Sequence, residues 1–169
     1  YEISLAVGRG SDLRETAREG LSAYLRKLNC AAGAVLAERD GDHEPVAAVP
    51  AEPTVNDGYR AGVAWLRDHD DPALPELVAA GDDTWVYLLE LPGFGVLLLV
   101  KRGDRIGEDT VGALGALNRK LAAACRAERV ERELRAQRDR FEAGGGTGPG
   151  AVGGGGTDGA GTGTDAGAD

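Results

Sequence analysis

Leu13, Ala17, Leu21, Leu25 and Leu28 recur three or four residues apart, the spacing that lines apolar side chains along one stripe of a helix. Asp12 stands where a side-chain oxygen can accept a free first-turn N–H, and Glu15 follows three residues on in the pattern of a capping box. These residues predict a helix over about 12–28 with one face on a core. Before it, Ile3 to Val7 is a short apolar piece, and Gly8-Arg9-Gly10 reads as a break between helices.

From Cys30 to Arg39 the chain is small and apolar, ending at Asp40-Gly41-Asp42. Val46 to Val49 then reads as a second short strand between Pro45 and Pro50. Asp-Gly between two apolar runs predicts an antiparallel hairpin. Flanking prolines cannot donate to a ladder, which puts the second strand at an edge. Ala51 to Asn56 reads as a connection. A helix starting at Asn56 or Asp57 carries Tyr59, Val63 and Leu66 on one side with Trp65 close by, and Asp68-His69-Asp70-Asp71-Pro72 ends it. A short helix is predicted over Leu74 to Ala80, with Pro75 in its first turn and Gly81 as its stop.

The strongest strand signal flanks Pro92-Gly93, the residue pair a type II turn requires because glycine tolerates positive φ. Across Thr84 to Leu91, Trp85, Tyr87, Leu89 and Leu91 point one way, and Val86 and Leu88 the other. In Phe94 to Lys101, Phe94, Val96, Leu98 and Val100 oppose Leu97 and Leu99. Apolar residues on both faces predict a central hairpin covered on two sides.

From Glu108 to Ala143 there is no proline, and no glycine after Gly115. This predicts one helix of about 36 residues, roughly 54 Å long. Its first half offers Val111, Leu114, Leu117 and Leu121 for burial. Its second half carries Val130, Leu134, Gln137 and Phe141 at 4-3-4 spacing between charged flanks, the pattern of a two-helix seam. The halves are slightly out of heptad phase, as at a stutter.

Composition then sets the domain count. The stretch Gly144 to Asp169 is half glycine and has no apolar surface to offset its ordering entropy, so it is expected to be a disordered tail or linker. Residues 1–143 suit one domain with a single core. The net charge of −9 excludes a nucleic-acid binder, since the arginines between Arg126 and Arg140 are interleaved with Glu128, Glu131, Glu133 and Asp139. Scarce lysine with abundant Asp, Glu, Arg and Ala fits a salt-adapted source such as a halophilic archaeon. The longest apolar run, Val96 to Val100, is strand-sized and too short for a membrane span. With no signal peptide and no initiating Met, the chain reads as a cytoplasmic fragment or a trimmed protein.

Candidate chemistry is sparse. Cys30 and Cys125 have no metal-ligand spacing and read as free thiols. His43 falls in a turn and His69 at a helix end, neither in the helical context of a phospho-accepting histidine. Ser4, Ser11 and Ser22 have no histidine nearby in sequence. His69-Asp70-Asp71 reads as a solvated helix terminus rather than a metal site. Gly8-Arg9-Gly10 and Gly93-Phe94-Gly95 are isolated pieces that do not cradle a phosphate. The sequence names no cofactor.

Tyr1-Glu2-Ile3-Ser4-Leu5, Tyr24-Leu25-Arg26-Lys27-Leu28-Asn29-Cys30, Leu91-Pro92-Gly93-Phe94-Gly95-Val96-Leu97 and Leu117-Asn118-Arg119-Lys120-Leu121-Ala122 look like the GAF-like sensory segments that precede PAS or kinase domains in archaeal and bacterial sensor histidine kinases. Arg135-Ala136-Gln137-Arg138-Asp139-Arg140-Phe141-Glu142 resembles the run-in to a following PAS domain. The order helix, hairpin, one or two helices, central hairpin, long exit helix is similar to that of the GAF domain. The resemblance implies an α+β fold with a GAF/PAS-like central antiparallel sheet flanked by helices and a long C-terminal signalling helix. It further implies signalling, as a non-catalytic sensor that acts on a histidine kinase or PAS-type partner, and the length and apolar spacing of the exit helix lead to the expectation of a homodimer through it. Leu117, Leu121, Val130, Leu134 and Phe141 are the expected seam. A small-molecule pocket is expected around Tyr59, Arg60, Trp65, Trp85 and Tyr87, with Arg60 for an anionic group. The alternatives are a stand-alone adaptor without ligand, or a thiol-dependent GAF-fold enzyme using Cys30.

Overall fold

The computed structural model describes residues 12–145. Ile3–Val7, the Gly8-Arg9-Gly10 break and the glycine-rich tail past Gly145 lie outside the described residues. Contacts divide the chain into two units, residues 1–135 and 136–169.

Helix α1 (Leu13–Leu28) starts where Asp12 accepts the Glu15 N–H at 2.8 Å. It ends at Asn29, whose φ of 53° lets the Cys30 N–H turn back to the Leu25 carbonyl at 2.9 Å, the backbone route by which a left-handed cap satisfies last-turn carbonyls. Strands β1 (Ala32–Arg39) and β2 (Asp42–Val49) follow, joined by Asp40-Gly41 with φ of 54° and 84°. Two successive positive φ values match the right-handed twist of the flanking strands, so the turn closes a tight hairpin. The second strand is at the sheet edge as expected. It begins at Asp42, before the first apolar residue, because an edge strand tolerates the exposed Asp42 and Glu44. Pro45 sits opposite Leu36, beside the register shift between Val35 and Leu36.

Helix α2 (Asp57–Asp68) is capped by Asn56, which accepts the Tyr59 N–H at 2.9 Å. The short helix expected over Leu74–Ala80 is absent. Residues Glu76–Ala79 instead form strand β3, paired antiparallel with Trp85–Leu88. So short a window has little helical stability of its own and takes the form its neighbours stabilise. The open edge of the next strand offers ladder hydrogen bonds instead, and Gly81, at φ 125°, belongs to the turn between the two.

Strands β4 (Thr84–Leu91) and β5 (Gly95–Arg102) form the central hairpin. Gly93 takes a φ of 70°, and the Phe94 N–H returns to the Leu91 carbonyl at 3.0 Å. All five strands pair antiparallel in the order β2-β1-β5-β4-β3. At Gly95 the backbones come so close that a Cβ would collide with the Leu36 carbonyl.

The sheet is buried on both faces. One face packs Val35, Tyr87, Leu89, Leu97 and Leu99 with Leu21 and Tyr24 of α1 and with Leu121 and Cys125. The other packs Leu36, Val86, Leu88, Val96, Leu98 and Val100 with Tyr59 and Leu66 of α2. Phe94 departs from its expected side and joins Leu97 and Leu99. It precedes β5, and strand alternation does not carry through a turn.

The expected unbroken helix is two helices, α3 (Glu108–Ala113) and α4 (Gly115–Gly145). At Leu114 the N–H bonds to the Val111 carbonyl at 3.2 Å, a tighter turn than an α-helix makes. Glycines 112 and 115 flank the break, each weakening the helix by about 1 kcal/mol relative to alanine, while Leu114 is buried. Residues 136–145, the described part of the second unit, are helical, and Phe141 there is 82% exposed. The architecture is therefore α+β: a five-stranded antiparallel sheet flanked by helices, with a long C-terminal helix.

Candidate functional site

The sheet separates the five residues expected to share a pocket. Tyr59 and Trp65 pack with the α2 face. Trp65 also stacks on His69, ring centroids 4.0 Å apart, and the His69 Nδ1 lies 2.7 Å from the Trp65 carbonyl. Arg60 is exposed and engages its neighbours Asp57 and the Thr54 carbonyl. Trp85 and Tyr87 lie on the opposite face. Odd-numbered residues of β4 all point to one side, and α2 covers the other, so no single cavity holds all five.

Tyr87 does line a cavity, of about 530 Å³, between β3 and α3. Pro75, Leu77, Ile106 and Val111 supply its apolar wall, and Arg105, Glu76 and Glu108 its charged groups. The Tyr87 hydroxyl accepts the Ile106 N–H at 2.9 Å and donates to the Ile106 carbonyl at 3.2 Å. That pair pins the segment after β5 to the sheet. Next to it, the Arg105 guanidinium lies over the Trp85 ring at 4.0 Å, where the ring quadrupole favours a cation. Sequence reading missed Arg105 and Ile106 because they fall in an irregular stretch, where hydrophobic periodicity carries no signal.

A second cleft, of about 580 Å³, lies between the β1–β2 hairpin, the segment after α2 and the β4–β5 turn, with His43, His69, Glu38 and Glu90 among its lining. Among the described residues, no group of three or more His, Cys, Asp and Glu is arranged to hold a metal ion.

Helix α4 has two unlike sides. Inward, Asn118, Leu121, Ala122 and Cys125 are buried. Leu121 fits over Gly20 of α1 so closely that an added Cβ there would be 2.7 Å from its Cδ1. Arg126 donates to the Pro92 carbonyl, and Arg129 donates to the Gly93 carbonyl at 3.2 Å while lying 4.9 Å over Phe94. Two arginines thus tie the helix to the central turn. Outward, Val130 and Leu134 are 54% and 55% exposed. Each stands nine residues beyond a fully buried one, Leu121 and Cys125 respectively, which at about 100° per residue is half a turn away. The five expected seam residues therefore do not share a face. Leu121 belongs to the chain's own core, Leu117 is half-buried against it, and Val130, Leu134 and Phe141 are exposed.

Burial pushes the Cys125 thiol up to about 12, and the Cys30 thiol to about 11 against a smaller opposing pull from Lys101. Both stay protonated at neutral pH, whereas nucleophilic cysteines need the thiolate. No helix among the described residues is long and apolar enough to cross a membrane. No family model, curated protein or solved structure matches the chain.

Proposed function

We propose that this chain is a GAF-like sensory module, cytoplasmic and non-catalytic, that pairs with a second copy through α4 and passes a conformational change to a histidine kinase or PAS-type partner. The observation that carries the reading is the pair Val130 and Leu134, apolar and exposed on the side of α4 facing away from Leu121 and Cys125. Exposed apolar residues that cluster on one helix face, rather than standing singly, mark an interaction surface. Phe141 continues the 4-3-4 spacing in sequence.

The flanks favour a second copy as that partner. With Val130 and Leu134 as core positions of a parallel pair, Glu133 of one copy comes opposite Arg138 of the other in sequence register, whereas Arg126 and Glu131 are already engaged within their own chain, with the Pro92 carbonyl and with Arg135. Opposite charges at these flanking positions set partner choice in paired helices. The element order, helix, hairpin, helix, β3, central hairpin and a broken exit helix, supports the GAF resemblance in its outline. Transmission then works by population shift: a ligand that fits one packing of the sheet and α3 better than another biases the arrangement of the paired α4 helices.

Oxidative cross-linking in a Cys30→Ser background tests the pairing. Leu134→Cys should form a covalent dimer readily, and Arg132→Cys, on another side of the same helix turn, should not. Equal cross-linking at both positions rules the seam out.

A further inference from the structure

We infer that the cavity between β3, β4 and α3 is a binding site for a small apolar molecule carrying one carboxylate, which Arg105 receives. The inference rests on the sensory reading only for its consequence and otherwise on the cavity itself. About 530 Å³ is within the usual range of small-ligand sites, which are apolar with a few placed polar groups. Here the apolar part is Pro75, Leu77, Ile106, Val111 and the Tyr87 ring. The Tyr87 hydroxyl is already engaged on both sides by Ile106, so it presents a ring and no free donor.

Arg105 is different. Among the described residues the ion pairs are Arg60–Asp57 and Arg135–Glu131, and Arg105 has neither a carboxylate partner nor a hydrogen bond among them. Arg105 is exposed, and its guanidinium rests on Trp85, 4.0 Å from the ring centroid. A guanidinium stacked on an aromatic ring keeps its donor edge open while the ring favours one orientation, a geometry suited to bidentate capture of a carboxylate. Glu76 and Glu108 share the lining, so a polyanion such as a nucleotide is repelled, and a single carboxylate is favoured only where it pairs with Arg105, away from those two groups. These residues settle the ligand class: one carboxylate at the Arg105 end, hydrocarbon or an aromatic ring elsewhere.

The site also has a route to α4. Val111 and Gly112 of α3 line the cavity, the Leu114 N–H is bonded to the Val111 carbonyl, and α4 begins at the next residue. A ligand pressing on α3 therefore acts on the break from which the exit helix starts.

The test uses the full chain and three probes that differ only in the head group: decanoate, decanol and decylamine, each titrated by calorimetry below its micellar concentration. Decanoate should bind at least about tenfold tighter than the other two, the equivalent of one charge-assisted hydrogen-bonded pair. Arg105→Ala should erase that preference and leave decanol binding unchanged. Gly112→Leu, at a position with nothing within 4 Å of an added Cβ, should fill the space and weaken all three, with the melting temperature confirming the fold. Equal affinity for the three probes, no binding of decanoate to folded protein, or a preference that survives Arg105→Ala would each overturn the site. Light scattering on the same samples keeps the two readings apart. A dimer that ignores decanoate removes the ligand site alone, and a monomer that binds it removes the pairing alone.

Discussion

The Tyr24 hydroxyl of α1 donates to the Asn118 Oδ1 of α4 at 2.8 Å, with both side chains buried and 94 positions apart in sequence. This bond fixes α4 against α1 at the level where α4 is still part of the core. Tyr24→Phe removes the donor and leaves a buried amide oxygen unpaired, a loss of about 1–3 kcal/mol. Asn118→Leu with Tyr24→Phe should cost less than the two single changes summed, and denaturant unfolding of the four proteins measures the coupling.

Burial raises Tyr24 and Tyr59 above the ordinary tyrosine value of 10.0, and Cys30 and Cys125 above 9.0. For each of these groups the folded chain holds its proton at a pH where the unfolded chain has lost it. The unfolded state then binds fewer protons, so stability falls as pH rises. Unfolding free energy should be flat in these groups below about pH 8 and decline above about pH 9, first from the cysteines and then from the tyrosines. A Tyr24→Phe protein should show a shallower decline above pH 10. The same slope in both proteins would remove Tyr24 from the cause.

Gly95 has no room for a side chain, since a Cβ would strike the Leu36 carbonyl between β1 and β5. Neither strand can shift without disturbing the central sheet. Gly95→Ala is expected to destabilise by about 2–4 kcal/mol, in the range of overpacked core substitutions and beyond. Thermal unfolding checks it against Gly41→Ala, whose turn position is open but has a φ of 84° and should cost only about 1 kcal/mol.

The thiols give a readout of the fold's integrity. Cys125 is fully buried and Cys30 half-buried, and both are protonated at neutral pH. A thiol reagent should label Cys30 slowly and Cys125 only when the chain opens, with both reacting at once in denaturant. Rapid labelling of Cys125 in the folded protein would mean that α4 does not stay packed on α1.

The fold was legible wherever a local signal was strong. The Asp12 cap, the Asp40-Gly41 turn and the Pro92-Gly93 turn each act over three or four residues, and each holds. The two-sided burial of β4 and β5 followed from their apolar alternation on both faces. What stayed hidden depends on partners distant in sequence. Glu76–Ala79 is a strand because β4 offers it an edge, and no residue within the segment says so. Leu114 breaks the long helix because the core takes its side chain, while the apolar spacing runs on past it. Of the cavity, Tyr87 was visible as an aromatic, as was Trp85 beside it, but Arg105 and Ile106 come from an irregular segment whose position only the folded chain sets.

The central claim is that the outward face of α4 is covered by a second copy. Multi-angle light scattering of the full chain at high salt, with and without Leu134→Glu, tests it most directly. Leu134 is 55% exposed, so a charge there costs the single chain little, whereas two facing charges across a paired seam cost several kcal/mol. The account predicts twice the chain mass for the parent protein and the mass of one chain for Leu134→Glu, with closely similar melting temperatures at low concentration. A parent protein that runs as a single chain at every concentration, or a Leu134→Glu dimer as tight as the parent, would contradict it.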